Sequence, residues 1–334
     1  MAAPMSASIQ VLPFLIPIDV CSSVLNFHVD HLPHIRPSRG LLDRCLPPFP
    51  LAYLYVPTNG PDTMWPSKRT VITAILGGLL NVAVILALYV RADYPTLTST
   101  TGASTVAITG FTLGFVAVFV TSHTGLLTPA VGYLATLVGT VYLELSTPLP
   151  EWSEMNGHII VDGPTHVLSY ANTWYVWIVL LLFFGVVEFA IRRGYNIGTH
   201  RLRHVPDLPL SRYTIVWIVA GFAGLVGVAT MLLVIRSGIR PPSAALVVFV
   251  IAATVAAVPL AALLMHGIVL PTLLFAVFVP YMLSVEVFTT TDSPVHILLF
   301  GPYALILAIV WGVEKMVRAK ITGWDGEQFT ASGS

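Results

Sequence analysis

The sequence predicts an all-α integral membrane protein, with about eight transmembrane helices in two parallel four-helix repeats and both termini cytoplasmic. Three observations predict this. The chain is 56% hydrophobic and only 10% charged over 334 residues, whereas a soluble domain carries about 25% charged residues. The apolar residues fall in blocks, each long enough to cross a hydrocarbon core of about 30 Å. Several short motifs also recur in the same order in the second half of the chain.

The predicted spans cover 70–90, 104–122, 126–145, 173–191, 213–235, 243–264, 268–288 and 296–316. Their apolar runs contain Gly, Ala and Thr and do not alternate with period two, which favours packed helices over a β-barrel. Positive charge sets the orientation. Lys68, Arg69, Arg192, Arg193, Arg201, Arg203, Arg212, Lys315, Arg318 and Lys320 fall on one side, and Arg91, Arg236 and Arg240 on the other. By the positive-inside rule the first group is cytoplasmic; the expected location is the cell (plasma) membrane. The long 146–172 loop has no Lys or Arg and belongs outside.

Residues 1–63 differ in kind. They lack Lys and Glu, are rich in Pro, and hold both cysteines, Cys21 and Cys45, with His28, His31 and His34. The histidine spacing is compatible with metal ligation. Pro13, Pro17 and Asp19 interrupt the apolar stretch, which has no basic leader of the secretory kind. The reading is a poorly ordered or non-native extension, with Met64, before WPSKRT, as the natural start.

The repeat is anchored by DGPTHVLSY (162–170) and DSPVHILLF (292–300). VEFAIR (187–192) matches VEKMVR (313–318), HTGLLTP (123–129) matches HGIVLP (266–271), and SKRTVITAILGG (67–78) matches LSRYTIVWIVAG (210–221). Glu144 and Glu286 close the third and seventh spans. The repeats are 66–193 and 209–319, with a basic cytoplasmic linker at 194–208 and a flexible cytoplasmic tail at 320–334. An even number of spans per unit makes the repeats parallel.

The candidate substrate or ion-binding residues are Asp162, His166, Asp292, His296, Glu188, Arg192, Glu314 and Arg318. In Asp-x-Pro-x-His, the structural reading makes Asp an N-cap and places Pro in the first turn, with His one turn above Asp. The functional reading faces two Asp–His pairs across the axis between units, as a cation or proton site. Glu and Arg in Val-Glu-x-x-x-Arg are spaced for an intrahelical ion pair, while an ionisable residue within a span is also a functional candidate. His123 and His266 on one side, with His166 and His296 on the other, have the pattern of a two-haem cytochrome. Pro129, Pro259, Pro271, Pro280 and Pro302 lie in or beside spans, mostly in the second half, where bent helices could wall a cavity.

No Gly-x-Ser-x-Gly, His-Glu-x-x-His or phosphate-binding glycine loop is present, so the reading leans away from an enzyme. The first functional expectation is a small-solute or ion transporter or permease. The alternatives are a non-catalytic membrane subunit or scaffold, and a haem- or metal-binding redox protein. Expected partners are the lipid bilayer, a small solute or ion, and other subunits within the membrane, with no nucleic acid. Any cofactor is left unassigned.

Overall fold

The computed structural model describes residues 66–155, 158–238, 242–289, 294–323 and 329–330. The calls on residues 1–63, including both cysteines and His28, His31 and His34, lie outside the described residues, as does Asp292. Nine α-helices are described: α1 Lys68–Arg91, α2 Thr100–Thr124, α3 Thr128–Ser146, α4 His166–Asn172, α5 Trp174–Gly194, α6 Arg212–Arg236, α7 Pro242–His266, α8 Leu270–Thr289 and α9 Phe300–Thr322. The chain is a multi-pass membrane protein. Seven helices among the described residues are long and apolar enough to cross a bilayer, against the eight expected. The predicted 126–145 span is helical, as α3, but is not among the seven. Its tyrosines, threonines and Glu144 dilute its apolar character.

Two helices begin with the same cap. Ser67 Oγ accepts from Thr70 N–H at 3.2 Å before α1, and Ser211 Oγ accepts from Thr214 N–H at 3.1 Å before α6. The cap shifts the correspondence between these segments by one residue from the sequence match. The α1–α2 pair packs closely because it meets at glycine. A Cβ at Gly114 would lie 2.5 Å from the Gly77 carbonyl oxygen. Asn81, fully buried, donates to the Gly110 carbonyl at 2.7 Å and accepts from Tyr170 OH at 3.1 Å. The α6–α7 pair meets at Gly227, which faces Phe249.

α5 is the central helix, packed against α2, α3, α6 and α7. Just over half of its membrane-length window (56%) is buried, against 22% for α9. α9 turns a ladder of Leu305, Ile309, Val313 and Met316 outward, a surface suited to lipid.

One element departs from the all-α expectation. The 146–172 loop folds as an antiparallel hairpin of β1 Glu151–Met155 and β2 His158–Asp162, pairing Glu151 with Asp162. Trp152 pins it to the end of α1: its Nε1 donates to the Ala92 carbonyl at 3.0 Å, and its ring lies 5.1 Å from that of Tyr94. The prolines also divide by role. Pro129 and Pro271 open α3 and α8, Pro302 falls in the first turn of α9, and Pro259 and Pro280 lie inside α7 and α8.

Candidate functional site

Glu144 organises one end of the first four-helix segment. It is 3% exposed, yet both carboxylate oxygens have partners. Oε1 accepts from Tyr94 OH at 3.0 Å, and Oε2 accepts from the backbone N–H of Val167 at 2.9 Å, in the first turn of α4. The carboxylate is thus the acceptor that an orphan N–H at a helix start requires. Arg91 donates to the Glu144 carbonyl at 3.3 Å, near the C-terminal end of α3. Burial first, and then the charge and hydrogen bond of Glu144, push the Tyr94 phenol well above its ordinary pKa, so it stays a donor.

This corrects the expected cap. Asp162 is exposed at the end of β2, paired in the hairpin with Glu151, and the residue before α4 is Thr165. Asp162 and His166 are not stacked on one helix face, because the helix starts only at His166. The role assigned to Asp162 is filled by Glu144, which comes from a different helix.

The second four-helix segment uses Glu286 similarly. It is 4% exposed, accepts from Ser237 Oγ at 2.7 Å, and stands 3.3 Å from His296 Nε2. Glu144 and Glu286, each the last acidic residue of its helix, therefore join the residues just after α1 and α6 to the segments that lead into α5 and α9.

At the other end the Val-Glu-x-x-x-Arg pairs form as their spacing predicts. Glu188 and Arg192 are 2.9 Å apart, and Glu314 and Arg318 are 2.7 Å apart. Each glutamate also reaches another helix. Glu188 accepts from Leu127 N–H at 2.9 Å and Thr128 N–H at 2.7 Å at the start of α3. Glu314 accepts from Leu270 N–H at 3.1 Å at the start of α8. These carboxylates face helix N-termini, where the dipole favours negative charge. They tie α3 to α5 and α8 to α9 in antiparallel pairs.

The four boundary histidines have separate surroundings. The His123 ring stacks on His204 at 4.4 Å, and His266 Nε2 accepts from Lys315 Nζ at 2.9 Å. His296 meets Glu286, while His166 packs edge-on against Phe288 of α8 at 6.0 Å. Among the described residues, no group of three or more His, Cys, Asp or Glu is placed to hold a metal ion.

His166 is the one that stands out chemically. Both of its ring nitrogens are buried and have no hydrogen-bond partner among the described residues. Burial lowers its pKa, with Glu144 opposing, so neutral imidazole is favoured. Trp177, 4% exposed, packs on the same Phe288 ring at 5.7 Å, and its Nε1 is likewise buried and unpartnered. Tyr89, fully buried and stacked on Tyr94 at 4.5 Å, has an unpartnered hydroxyl as well. A buried polar atom without a partner costs about 1–3 kcal/mol. His166 stands in a sequence motif, whereas Trp177 and Tyr89 belong to none of the repeated motifs. The arrangement brings one convertible imidazole from α4 and one indole donor from α5 to the same aromatic ring of α8. Comparison with protein-family models, characterised proteins and solved structures finds no match to this chain.

Proposed function

We propose that the protein is a permease for a small polar solute, bound where α4 and α5 meet α8. The single observation that carries this reading is the pair of buried side chains His166 and Trp177, whose ring nitrogens are unpartnered and which pack on the same Phe288 ring. Polar groups in a membrane interior are retained at a cost and mark solute pathways. Glu188 and Glu314 are occupied as acceptors at the starts of α3 and α8 and are paired with Arg192 and Arg318, so these four residues serve the scaffold in this reading. Solute contact falls instead to the neutral donors and to His166.

The same reading takes residues 66–193 and 209–319 as a parallel duplication crossing the membrane eight times, with both termini cytoplasmic in the plasma membrane. Its support is the matched use of Ser67 and Ser211, Glu144 and Glu286, and Glu188 and Glu314. The site lies between the two units, as in transporters built from repeats.

Tryptophan fluorescence of the protein in lipid nanodiscs tests the site. Titration with glycine, glycerol, acetate and ethylammonium should give a saturable change with at least one of them. Trp177→Phe should remove the change and His166→Ala should weaken the binding at least about tenfold, equal to about 1.4 kcal/mol. A response that survives both substitutions places the solute elsewhere and removes the proposal.

A second reading, a non-catalytic subunit of a membrane complex, is favoured by α9. Its window is the least buried of the seven spans, and its exposed apolar ladder suits a protein partner as well as lipid. Native mass spectrometry from mild detergent distinguishes a single chain from an assembly.

A further inference from the structure

The segment after α9 returns to the bundle. Phe329 is fully buried, its carbonyl accepts from Leu210 N–H at 3.2 Å, and Thr330 forms a parallel bridge with Leu210. The ring sits in a cradle of two glycines far apart in the chain. A Cβ on Gly194, the last residue of α5, would come within 2.0 Å of a ring carbon, and one on Gly267, in the α7–α8 turn, within 2.3 Å. No side chain larger than hydrogen fits at either position while the ring is in place. Tyr195 closes the cradle. Its ring is 5.7 Å from Phe329, its hydroxyl donates to the Gly267 carbonyl, and Arg318 donates to that hydroxyl at 3.2 Å.

A related covering exists in the first unit. There the turn glycine is Gly125, also left-handed (φ 74° against 65° for Gly267), and the linker backbone covers it. A Cβ on Gly125 would lie 2.0 Å from the Arg201 carbonyl oxygen, and Arg203 N–H donates to the Thr124 carbonyl at 2.9 Å. Residues 201–203 thus cover the turn between α2 and α3, and Phe329 covers the turn between α7 and α8. The first covering is backbone carried by the linker. The second is a single aromatic ring that touches the end of α5 and the α7–α8 turn together.

We propose that Phe329 is a reversible latch, and that its cradle of Gly194, Tyr195 and Gly267 is a binding site for the chain's own C-terminal segment. The cradle is complete only when the end of α5 and the α7–α8 turn are together. Docking of the ring therefore favours that closed arrangement, and undocking releases it. One buried ring favours the docked state by roughly tenfold to a hundredfold, a range that a competing partner or a small conformational change can reverse. The latch is independent of which solute the protein carries.

The test uses the full chain in nanodiscs, with Cys21 and Cys45 replaced by serine and Thr330→Cys added as a reporter. Labelling by a water-soluble maleimide should be slow. It should become at least about tenfold faster with Phe329→Ala, and equally so with Gly194→Ala, which fills the cradle without touching the tail. Hydrogen exchange read by mass spectrometry on the same variants should quicken at residues 194–198 and 264–270 and not in the α1–α2 pair. In the otherwise unsubstituted chain, Leu210→Cys with Thr330→Cys should form a disulfide on mild oxidation. If Phe329→Ala fails to fold, Phe329→Leu is measured in its place and should give an intermediate labelling rate. Equal labelling rates with and without the ring, no disulfide, or released labelling without faster exchange at the turn would each overturn the latch.

Discussion

At the scale of single residues, burial and partnering separate groups that look alike in the sequence. Glu144 and Asp162 are both acidic residues near the same helix start, yet only Glu144 is buried and reaches an orphan N–H. Glu144→Ala would leave Tyr94 OH and Val167 N–H without their acceptor, at a cost of about 3 kcal/mol. Glu144→Gln keeps an acceptor oxygen and should cost less, while Asp162→Ala should be close to neutral. Thermal unfolding in detergent, followed by tryptophan fluorescence, checks this order. His166 supplies the pH dependence. Its folded pKa lies below the unfolded value of about 6.5 because burial disfavours the charged ring. The unfolded chain then binds the extra proton first. The contribution to stability is present above about pH 6.5 and is lost as pH falls through the lower folded value. The melting temperature should drop between about pH 7 and pH 5, and His166→Gln should flatten that drop. An unchanged slope would show that the ring is not held neutral in the folded protein.

At the scale of elements, the apolar blocks made the spans legible, because length and hydropathy alone decide whether a helix can cross lipid. The hairpin was not legible in that way. EWSEM and HIIVD are short and partly polar, and what fastens them is Trp152 reaching Ala92, a contact across 60 positions in the chain. The Asn156-Gly157 dipeptide between the strands was the available signal, since it favours a two-residue hairpin turn. Candidate pairs four residues apart were readable for Glu188–Arg192 and Glu314–Arg318, because one helix fixes their geometry. Their second role, accepting from the starts of α3 and α8, depends on how separate helices pack and left no local mark. Helix packing also sets the tolerance of the glycines. Gly114→Leu should destabilise by about 1–3 kcal/mol through overpacking against α1. Gly139→Ala, where a Cβ meets nothing within 4 Å, should be neutral or stabilising by up to about 1 kcal/mol. Paired melting curves of these two variants check the contrast, and equal effects would rule out the close α1–α2 crossing.

At the scale of the whole molecule, Glu144 and Glu188 join helices among α1–α5 at two ends, Glu286 and Glu314 do so among α6–α9, and α5 packs against α2, α3, α6 and α7. Where α4 and α5 meet α8, His166 and Trp177 bring buried, unpartnered ring nitrogens to one aromatic ring. That gathering also explains why the site was only partly readable. His166 carried a motif, but Trp177 and Phe288 are ordinary membrane aromatics until folding collects them. The most direct test is uptake into proteoliposomes of a panel of neutral, anionic and cationic small polar solutes. The account predicts saturable uptake of at least one solute, lowered at least about tenfold by His166→Ala and retained in Asp162→Ala. No protein-dependent uptake of any solute, or uptake that His166→Ala leaves unchanged, would contradict it.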